Sequence, residues 1–171
     1  MMDQLEKQRM LELAESWEHR ADQEQDPFTR YVALFVSYNA IYNVIALEDN
    51  PDVDLTTGDG KRAIDGVQRI TDRLGFVQSL EPLLSNYLGM IPLFKEEYWG
   101  RKKEPVSASL KEAYRKRDAE ASLRYLMKWL YKVRCNLFHG VKEYGDKQQA
   151  ELLEKSCMLL RQIVTATRAE L

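Results

Sequence analysis

Apolar side chains recur along most of the chain at intervals of three and four residues, which is the spacing of an amphipathic helix. The most regular segment, residues 119–138, has one apolar face made of Leu123, Leu126, Met127, Leu130, Val133 and Leu137. Residues 27–47 carry a wider apolar face and are expected at the centre of the core. Because no segment alternates polar and apolar residues as a strand does, the pattern predicts an all-α fold, a helical bundle of about five main helices.

Turn residues and capping residues set the expected limits of the first helices. An N-terminal helix is predicted over residues 1–22, and a core bundle is predicted over residues 27–169. The bundle opens at an Asp-Pro pair, which supplies an N-cap and a first-turn proline. One amphipathic helix is expected over residues 61–76. Apolar pieces at 79–98 are broken by proline and glycine, which predicts one or two short helices there.

The second half of the chain is expected to contain a linker and two long helices. Residues 101–105 are predicted to form a basic linker, and Ser107 or Ser109 to cap the helix after it. A pause or bend is expected near Asp118. Asp146 is predicted to cap the last helix. These limits complete the expected order of helices.

Composition favours one globular domain over residues 1–171. Hydrophobic residues make up 44% of the chain and charged residues 30%, which is typical of a soluble protein. The apolar runs are too short to span a bilayer and the N-terminus has no signal-peptide core, so we expect a cytoplasmic protein without a membrane partner. Two cysteines do not make a disulfide framework. No motif for zinc, acidic metal sites or nucleotides is present, so no cofactor or metal is expected.

The net charge of −2 conceals an asymmetry along the chain. Residues 1–60 contain 4 basic and 13 acidic residues, whereas residues 101–142 contain 12 basic and 4 acidic residues. A basic run of this kind is either a solvated helix face or an electrostatic footprint for a polyanion. On the second interpretation, the candidate RNA contacts outside the apolar stripe are Arg117, Arg124, Lys128 and Lys132.

The segment YKVRCNLFHG, residues 131–140, contains the most specific motif in the sequence. Arg134 can bind a phosphate through its planar guanidinium, and His139 can move a proton near neutral pH. A five-residue step turns about 140° on a helix, but Gly140 is expected to end the helix and let the imidazole approach Arg134. The simpler interpretation is that an Arg and a His in a last turn merely suit the helix dipole.

The residues around this pair, RCNLFHG at 134–140, resemble the signature of the HEPN superfamily. In that family an R-x4-6-H motif forms a metal-independent ribonuclease site in an all-helical domain. In that family the residue after the Arg is polar, whereas here it is Cys135, and Asn136 follows. Lys142 and Asp146 continue the match after the glycine. A second stretch, FVSYNAIYN at residues 35–43, resembles an early family helix that is rich in aromatic residues and carries an Asn-x3-Asn pair.

That pair is Asn39 and Asn43, which lie one helical turn apart. A buried asparagine needs hydrogen-bond partners, because an unpaired one costs about 1–3 kcal/mol. One interpretation is that both bind backbone or a neighbouring helix. The other places one of them behind the Arg–His pair as an orienting group.

The resemblance implies a homodimer in which Arg134 and His139 of both copies form one composite site that acts on RNA. His139 would be the general base or acid, Arg134 would hold the scissile phosphate, and Asn136 would support the phosphate or the imidazole. The implied reaction is endoribonuclease cleavage by 2′-hydroxyl transesterification, which leaves a 2′,3′-cyclic phosphate.

The cysteine after Arg134 keeps a second interpretation open. Many HEPN-like domains serve as RNA-binding or dimerisation modules without cleavage, and a helical scaffold that shares only the fold is a third alternative. The family is common in toxin–antitoxin modules and anti-phage defence. A cognate antitoxin is therefore a further partner that the resemblance implies.

Overall fold

A computed structural model describes residues 3–92, 97–99, 102–138 and 147–171. Over these residues the chain forms eight helices and one two-stranded hairpin. The helices are α1 (Gln4–Gln23), α2 (Pro27–Asp49), α3 (Asp59–Val67), α4 (Arg73–Ser79), α5 (Glu81–Met90), α6 (Val106–Arg115), α7 (Ala119–Phe138) and α8 (Lys147–Arg168), and the strands are β1 (Glu97–Trp99) and β2 (Lys102–Glu104). The prediction of an all-α class is confirmed, and within the described residues four of the eight helices reach twenty residues.

Helix α2 is the centre of the core, as its wide apolar face predicts. It packs against α1, α3, α7 and α8. Tyr31 and Tyr38 are fully buried, and their hydroxyls donate to the carbonyls of Leu130 and Ala63, each at 2.6 Å. By length and composition α2 could also cross a membrane, but 61% of its most apolar window is buried within this fold.

The start of α2 has the predicted cap. Asp26 Oδ2 accepts hydrogen bonds from the backbone N–H and the hydroxyl of Thr29, both at 2.8 Å, and Pro27 is the first helical residue. Such a cap satisfies a donor that would otherwise have no partner in the first turn. The N-terminal helix is also confirmed, because α1 closely matches its expected range.

The helix expected over residues 61–76 is wrong, since the chain breaks between α3 and α4. Asp72 starts a new helix by accepting from the backbone N–H of Gly75 at 2.9 Å. Arg73 Nη2 donates back to the carbonyl of Gln68 at 2.5 Å, which fixes the turn. Apolar spacing continues through the break because Ile70, in the turn itself, is also buried. Periodicity alone therefore could not detect it.

The basic linker expected at residues 101–105 is also wrong for its described part, because Lys102–Glu104 form strand β2. This strand pairs antiparallel with β1, and Trp99 lies opposite Lys102. Each strand has three residues, which is too short for an alternating pattern to appear in the sequence. The hairpin packs on α7, where the Trp99 ring lies 5.5 Å from the Tyr131 ring.

Helix α6 begins without the predicted serine cap. Pro105 occupies the N-cap position, and Ser107 is buried inside the helix. The predicted bend is confirmed, since Arg117 has φ 57° and Asp118 accepts from the backbone N–H of Ala121 at 2.9 Å to open α7. The predicted cap at Asp146 lies outside the described residues.

Candidate functional site

Arg134 lies in the penultimate turn of α7 with its guanidinium between two aromatic rings. The guanidinium carbon is 5.1 Å from the centre of the Phe35 ring and 5.3 Å from that of Tyr131. The side chain is 30% exposed, so it is held by its neighbours and still reaches the surface. Cation–π contacts of this kind orient an arginine without neutralising it. Arg134 is therefore placed as a residue that could receive a phosphate.

Asp59, the first residue of α3, is the acidic partner of this arginine. Its Oδ2 lies 3.4 Å from Arg134 Nη1 and accepts a hydrogen bond from the Tyr131 hydroxyl at 3.0 Å. Its Oδ1 accepts from the Tyr42 hydroxyl and from Asn39 Nδ2, the latter at 3.3 Å. The carboxylate therefore joins three helices around Arg134.

Asp59 lies between two glycines, and each has a structural reason for its position. Gly58 has φ 70°, in the left-handed region that favours glycine. Gly60 faces the hairpin, and a Cβ there would lie 3.3 Å from the Trp99 ring and 3.5 Å from the Tyr131 ring. The close approach brings the first turn of α3 against α7.

Asn39 and Asn43 lie directly behind this carboxylate. Asn43 Nδ2 donates to Asn39 Oδ1 at 2.8 Å, and Asn39 Nδ2 lies 2.6 Å from the Tyr42 hydroxyl. Arg62 completes the chain of contacts, because its Nε donates to Asn43 Oδ1 at 3.0 Å. The pair therefore connects to Arg134 through Asp59, which is where orienting groups would lie. Their role in a reaction stays a prediction.

Burial keeps the tyrosines of this network protonated. Burial, and then the nearby Asp59 carboxylate, raise the pKa of Tyr131 to about 12. The same two causes, burial first, raise the pKa of Tyr42 further. A protonated hydroxyl donates to a carboxylate, so both tyrosines serve as fixed donors that hold Asp59 in place.

The other motif residues are only partly placed by the structure. Cys135 and Asn136 are half-buried on α7. Burial raises the pKa of the Cys135 thiol, so this group stays neutral near pH 7. His139 and Gly140 lie outside the described residues. The structure therefore locates the arginine of the motif. The approach of the His139 imidazole to Arg134 stays a prediction.

The four predicted RNA contacts do not form one uniform surface. Lys128 is 13% exposed and its Nζ contacts both carboxylate oxygens of Glu104, at 2.6 and 2.8 Å. Arg124 is exposed and stacks on Tyr125 at 5.0 Å. Lys132 Nζ lies 5.8 Å from the centre of the Trp129 ring. Arg117 is exposed at the turn before α7.

Sequence reasoning missed Asp59, Tyr42, Tyr131 and Arg62 as parts of the site. Asp59 falls in an acidic, glycine-containing stretch whose composition indicates only a loop. Its partner Arg134 is 75 residues away in the sequence. No local pattern in the sequence indicates such a contact.

Among the described residues, no group of three or more His, Cys, Asp or Glu side chains could hold a metal ion. Comparison of the chain with protein-family models, with curated proteins and with solved structures gave no match. The resemblance to the HEPN superfamily thus rests on the two sequence motifs.

Proposed function

We propose that the protein is a metal-independent endoribonuclease whose site is formed by Arg134 and His139 of two copies of the chain. The observation that supports this most directly is the setting of Arg134. Its guanidinium is held between Phe35 and Tyr131, contacts Asp59, and remains 30% exposed at the surface. An arginine oriented in advance can bind the scissile phosphate with little reorganisation.

The reaction needs a base for the 2′-hydroxyl, charge stabilisation at phosphorus and an acid for the leaving 5′-oxygen. In the proposed mechanism the imidazole of one His139 takes the 2′-hydroxyl proton while the 2′-oxygen attacks phosphorus. Arg134 stabilises the negative charge that develops on the phosphoryl oxygens. The bond from phosphorus to the 5′-oxygen breaks, and that oxygen receives a proton from the second His139. The products are a 2′,3′-cyclic phosphate and a 5′-hydroxyl.

Asp59 has a positioning role in this proposal. Its carboxylate accepts from Tyr131 and Tyr42, so it is held before RNA arrives. It then fixes one edge of the Arg134 guanidinium, whose fork of donors can bind phosphate as well. Because Asp59 contacts the arginine and no reacting atom, its loss should affect rate through geometry.

The alternative is a non-catalytic RNA-binding or dimerisation module. The observation that favours it is Cys135, a neutral half-buried thiol where the family has a polar residue. A thiol is a weak hydrogen-bond donor, so a contact to phosphate beside Arg134 would be weakened. The two functions agree on a dimer and on RNA binding and differ on turnover.

A mixing experiment tests the composite site. Wild-type chains are unfolded together with an equal amount of His139→Ala chains, refolded, and assayed for RNA cleavage per total protein. If both histidines of a dimer are needed, activity falls to about a quarter of the wild-type value, because only a quarter of random dimers have two intact copies. Independent sites would leave about half.

Light scattering on the same samples provides the control for assembly. A specific dimer should bury on the order of 1,200–2,000 Å² and persist at assay concentrations. A protein that cleaves RNA as a monomer would contradict the composite site without contradicting ribonuclease activity.

A further inference from the structure

A cleft at the far end of α7 has the features of a second binding site. It lies between α4, the start of α5 and the turn from α6 into α7, and its volume is about 370 Å³. Small-molecule sites commonly have volumes of about 300–1,000 Å³. Leu74 and Val77 supply an apolar wall, and Leu74 is 53% exposed. The cleft is thus large enough for a ring-bearing ligand.

Ser122, which lines this cleft, has a polar group without a partner. The residue is 1% exposed, and its Oγ makes no hydrogen bond within the described part of the chain. Other buried hydroxyls of the core are paired, as when Ser156 donates to the carbonyl of Leu152 at 2.8 Å, but those of Tyr114 and Thr167 also have no partner among the described residues. A buried polar atom without a partner destabilises a fold unless something binds it. Two of these unpaired hydroxyls, those of Ser122 and Tyr114, line the same cleft, which indicates a missing donor or acceptor from outside the chain.

Arg117, at the edge of the same cleft, occupies a position that favours glycine. The backbone N–H of Arg117 donates to the carbonyl of Tyr114 and that of Asp118 to the carbonyl of Ala113, both at 3.0 Å, which is the Schellman pattern. Arg117 takes the left-handed position in it, with φ 57°. Its side chain is exposed and makes no ion pair with another described residue. A cation is therefore held at the cleft at the expense of backbone strain.

We propose that this cleft binds a phosphorylated small molecule about the size of a nucleoside monophosphate. Arg117 binds the phosphate through its guanidinium fork. The Ser122 hydroxyl, at the base of the cleft, gains its missing partner. Leu74 and Val77 pack against the ring, while Glu81 on the facing edge accepts from hydroxyl or amino groups of the ligand.

This site is separate from the one at Arg134. Ser122 and Arg134 are twelve residues apart on α7, which corresponds to about 18 Å along the helix axis. The proposal therefore does not depend on ribonuclease activity, and it can fail or succeed independently of it.

Thermal unfolding of the full chain tests the ligand class. The probes are AMP, GMP, CMP and UMP, with adenosine and inorganic phosphate as the two separated halves of a ligand. At least one nucleotide at a few millimolar should raise the melting temperature by about 2–4 °C, saturably, with neither half alone doing so. No shift with any of the four nucleotides, or an equal shift with inorganic phosphate, would overturn the proposal.

Two substitutions separate binding from folding, because each should weaken nucleotide binding without lowering the stability of the ligand-free protein. Arg117→Gly removes the strained conformation and Ser122→Ala removes the unpaired hydroxyl, so the ligand-free melting temperature should stay equal or rise. Each should nevertheless weaken nucleotide binding about tenfold or more. Arg20→Gln, which removes an exposed arginine of α1, is the matched control and should bind like wild type. Undiminished binding in either cleft variant would overturn the assignment.

Discussion

The Asp59 carboxylate contacts the Arg134 guanidinium across 75 residues of sequence, with 3.4 Å between Oδ2 and Nη1. Both side chains are about 30% exposed or less, so the pair lies at the surface without being fully solvated. Two tyrosine hydroxyls bind the same carboxylate, which fixes its orientation. The arginine of the sequence motif is therefore held in one arrangement by its neighbours within the chain.

Replacing Asp59 tests whether that arrangement matters for rate. Asp59→Asn keeps the size of the side chain and removes its charge, so Arg134 loses its ion pair with this residue and its fixed geometry. We expect RNA cleavage to slow by about 10–100-fold, since small displacements of a positioning group have effects of this size. RNA binding should not weaken, because a negative charge beside the phosphate is removed.

Asp65→Asn is the matched control for that variant. Asp65 lies on the same helix α3, is 49% exposed and pairs with Lys61 at the surface. It should leave cleavage unchanged. If Asp59→Asn also cleaves at the wild-type rate while remaining folded, Asp59 does not position Arg134 for the reaction.

The exposed cations of α7 should contribute to RNA binding. Arg124→Gln and Lys132→Gln should each weaken binding by a similar factor for any RNA sequence. The dependence of log affinity on log salt concentration should become shallower by about 0.7 for each single-strand phosphate that a variant no longer binds. Filter binding over a salt series measures both quantities, and unchanged slopes would make this helix face a solvated surface only.

Lys128 should behave differently from these two residues. Its Nζ contacts Glu104 and lies 5.4 Å from the Trp99 ring, so it attaches the hairpin to α7. Lys128→Gln should therefore lower the free energy of unfolding by about 1 kcal/mol and change RNA affinity less than Arg124→Gln does. Chemical denaturation checks the first expectation. A variant of full stability with strongly reduced RNA affinity would show that Lys128 contacts RNA directly.

Stability should decrease at alkaline pH because of the buried tyrosines. Burial raises the pKa of Tyr131 to about 12, and burial raises the pKa of Tyr31, Tyr38, Tyr42 and Tyr87 further. The unfolded chain loses these protons near pH 10, whereas the folded chain keeps them. The stabilisation is complete below pH 10 and is lost as pH rises above it.

Near-ultraviolet absorbance of tyrosinate, recorded together with circular dichroism, measures this effect. We expect the signal from these tyrosines to appear in one step with the loss of helical structure. Gradual ionisation of all nine tyrosines with a midpoint near pH 10 in a protein that is still helical would contradict the network around Asp59.

The long helices could be predicted from sequence because their determinants are local. Asp26 and Pro27 open α2, and the regular apolar face of α7 continues for its whole length. The break before Asp72 could not be predicted from periodicity, because the buried Ile70 continues the apolar spacing through the turn. Tertiary packing also constrains the end of α3, where Gly66 lies against α2. A Cβ on Gly66 would lie 2.9 Å from Tyr42 Cβ.

In the candidate site, too, some residues could be predicted from local sequence and others only from the fold. Arg134 could be selected from the sequence because residues 134–140 resemble the HEPN signature, whereas an arginine five residues before a histidine is a weak signal by itself. Asp59 could not be, because its importance arises only when the fold brings α3 against α7. The role of Lys128 was also hidden, since its partner Glu104 lies in a hairpin too short to leave a pattern.

Arginine substitutions should show whether the fork geometry is used. Arg134→Ala should reduce both cleavage and RNA affinity, because the truncated side chain cannot bind the phosphate. Arg134→Lys should recover affinity in part and rate poorly, since an ammonium cannot reproduce two parallel hydrogen bonds. Steady-state kinetics with separate binding measurements distinguishes the two effects. Full activity in Arg134→Lys would mean that only the charge matters.

Cleavage of RNA by the pure protein in EDTA is the most direct test of the proposed function. Wild type should produce 2′,3′-cyclic phosphate ends, and His139→Ala should lose on the order of 10²–10⁴-fold in rate while still binding RNA. The matched control is His19→Ala, which should cleave normally. His19 is the other histidine of the chain, is exposed, and forms a hydrogen bond with Gln23. Diverse RNAs that stay intact for hours with a wild-type dimer free of any inhibitor would contradict the enzyme and leave the non-catalytic module.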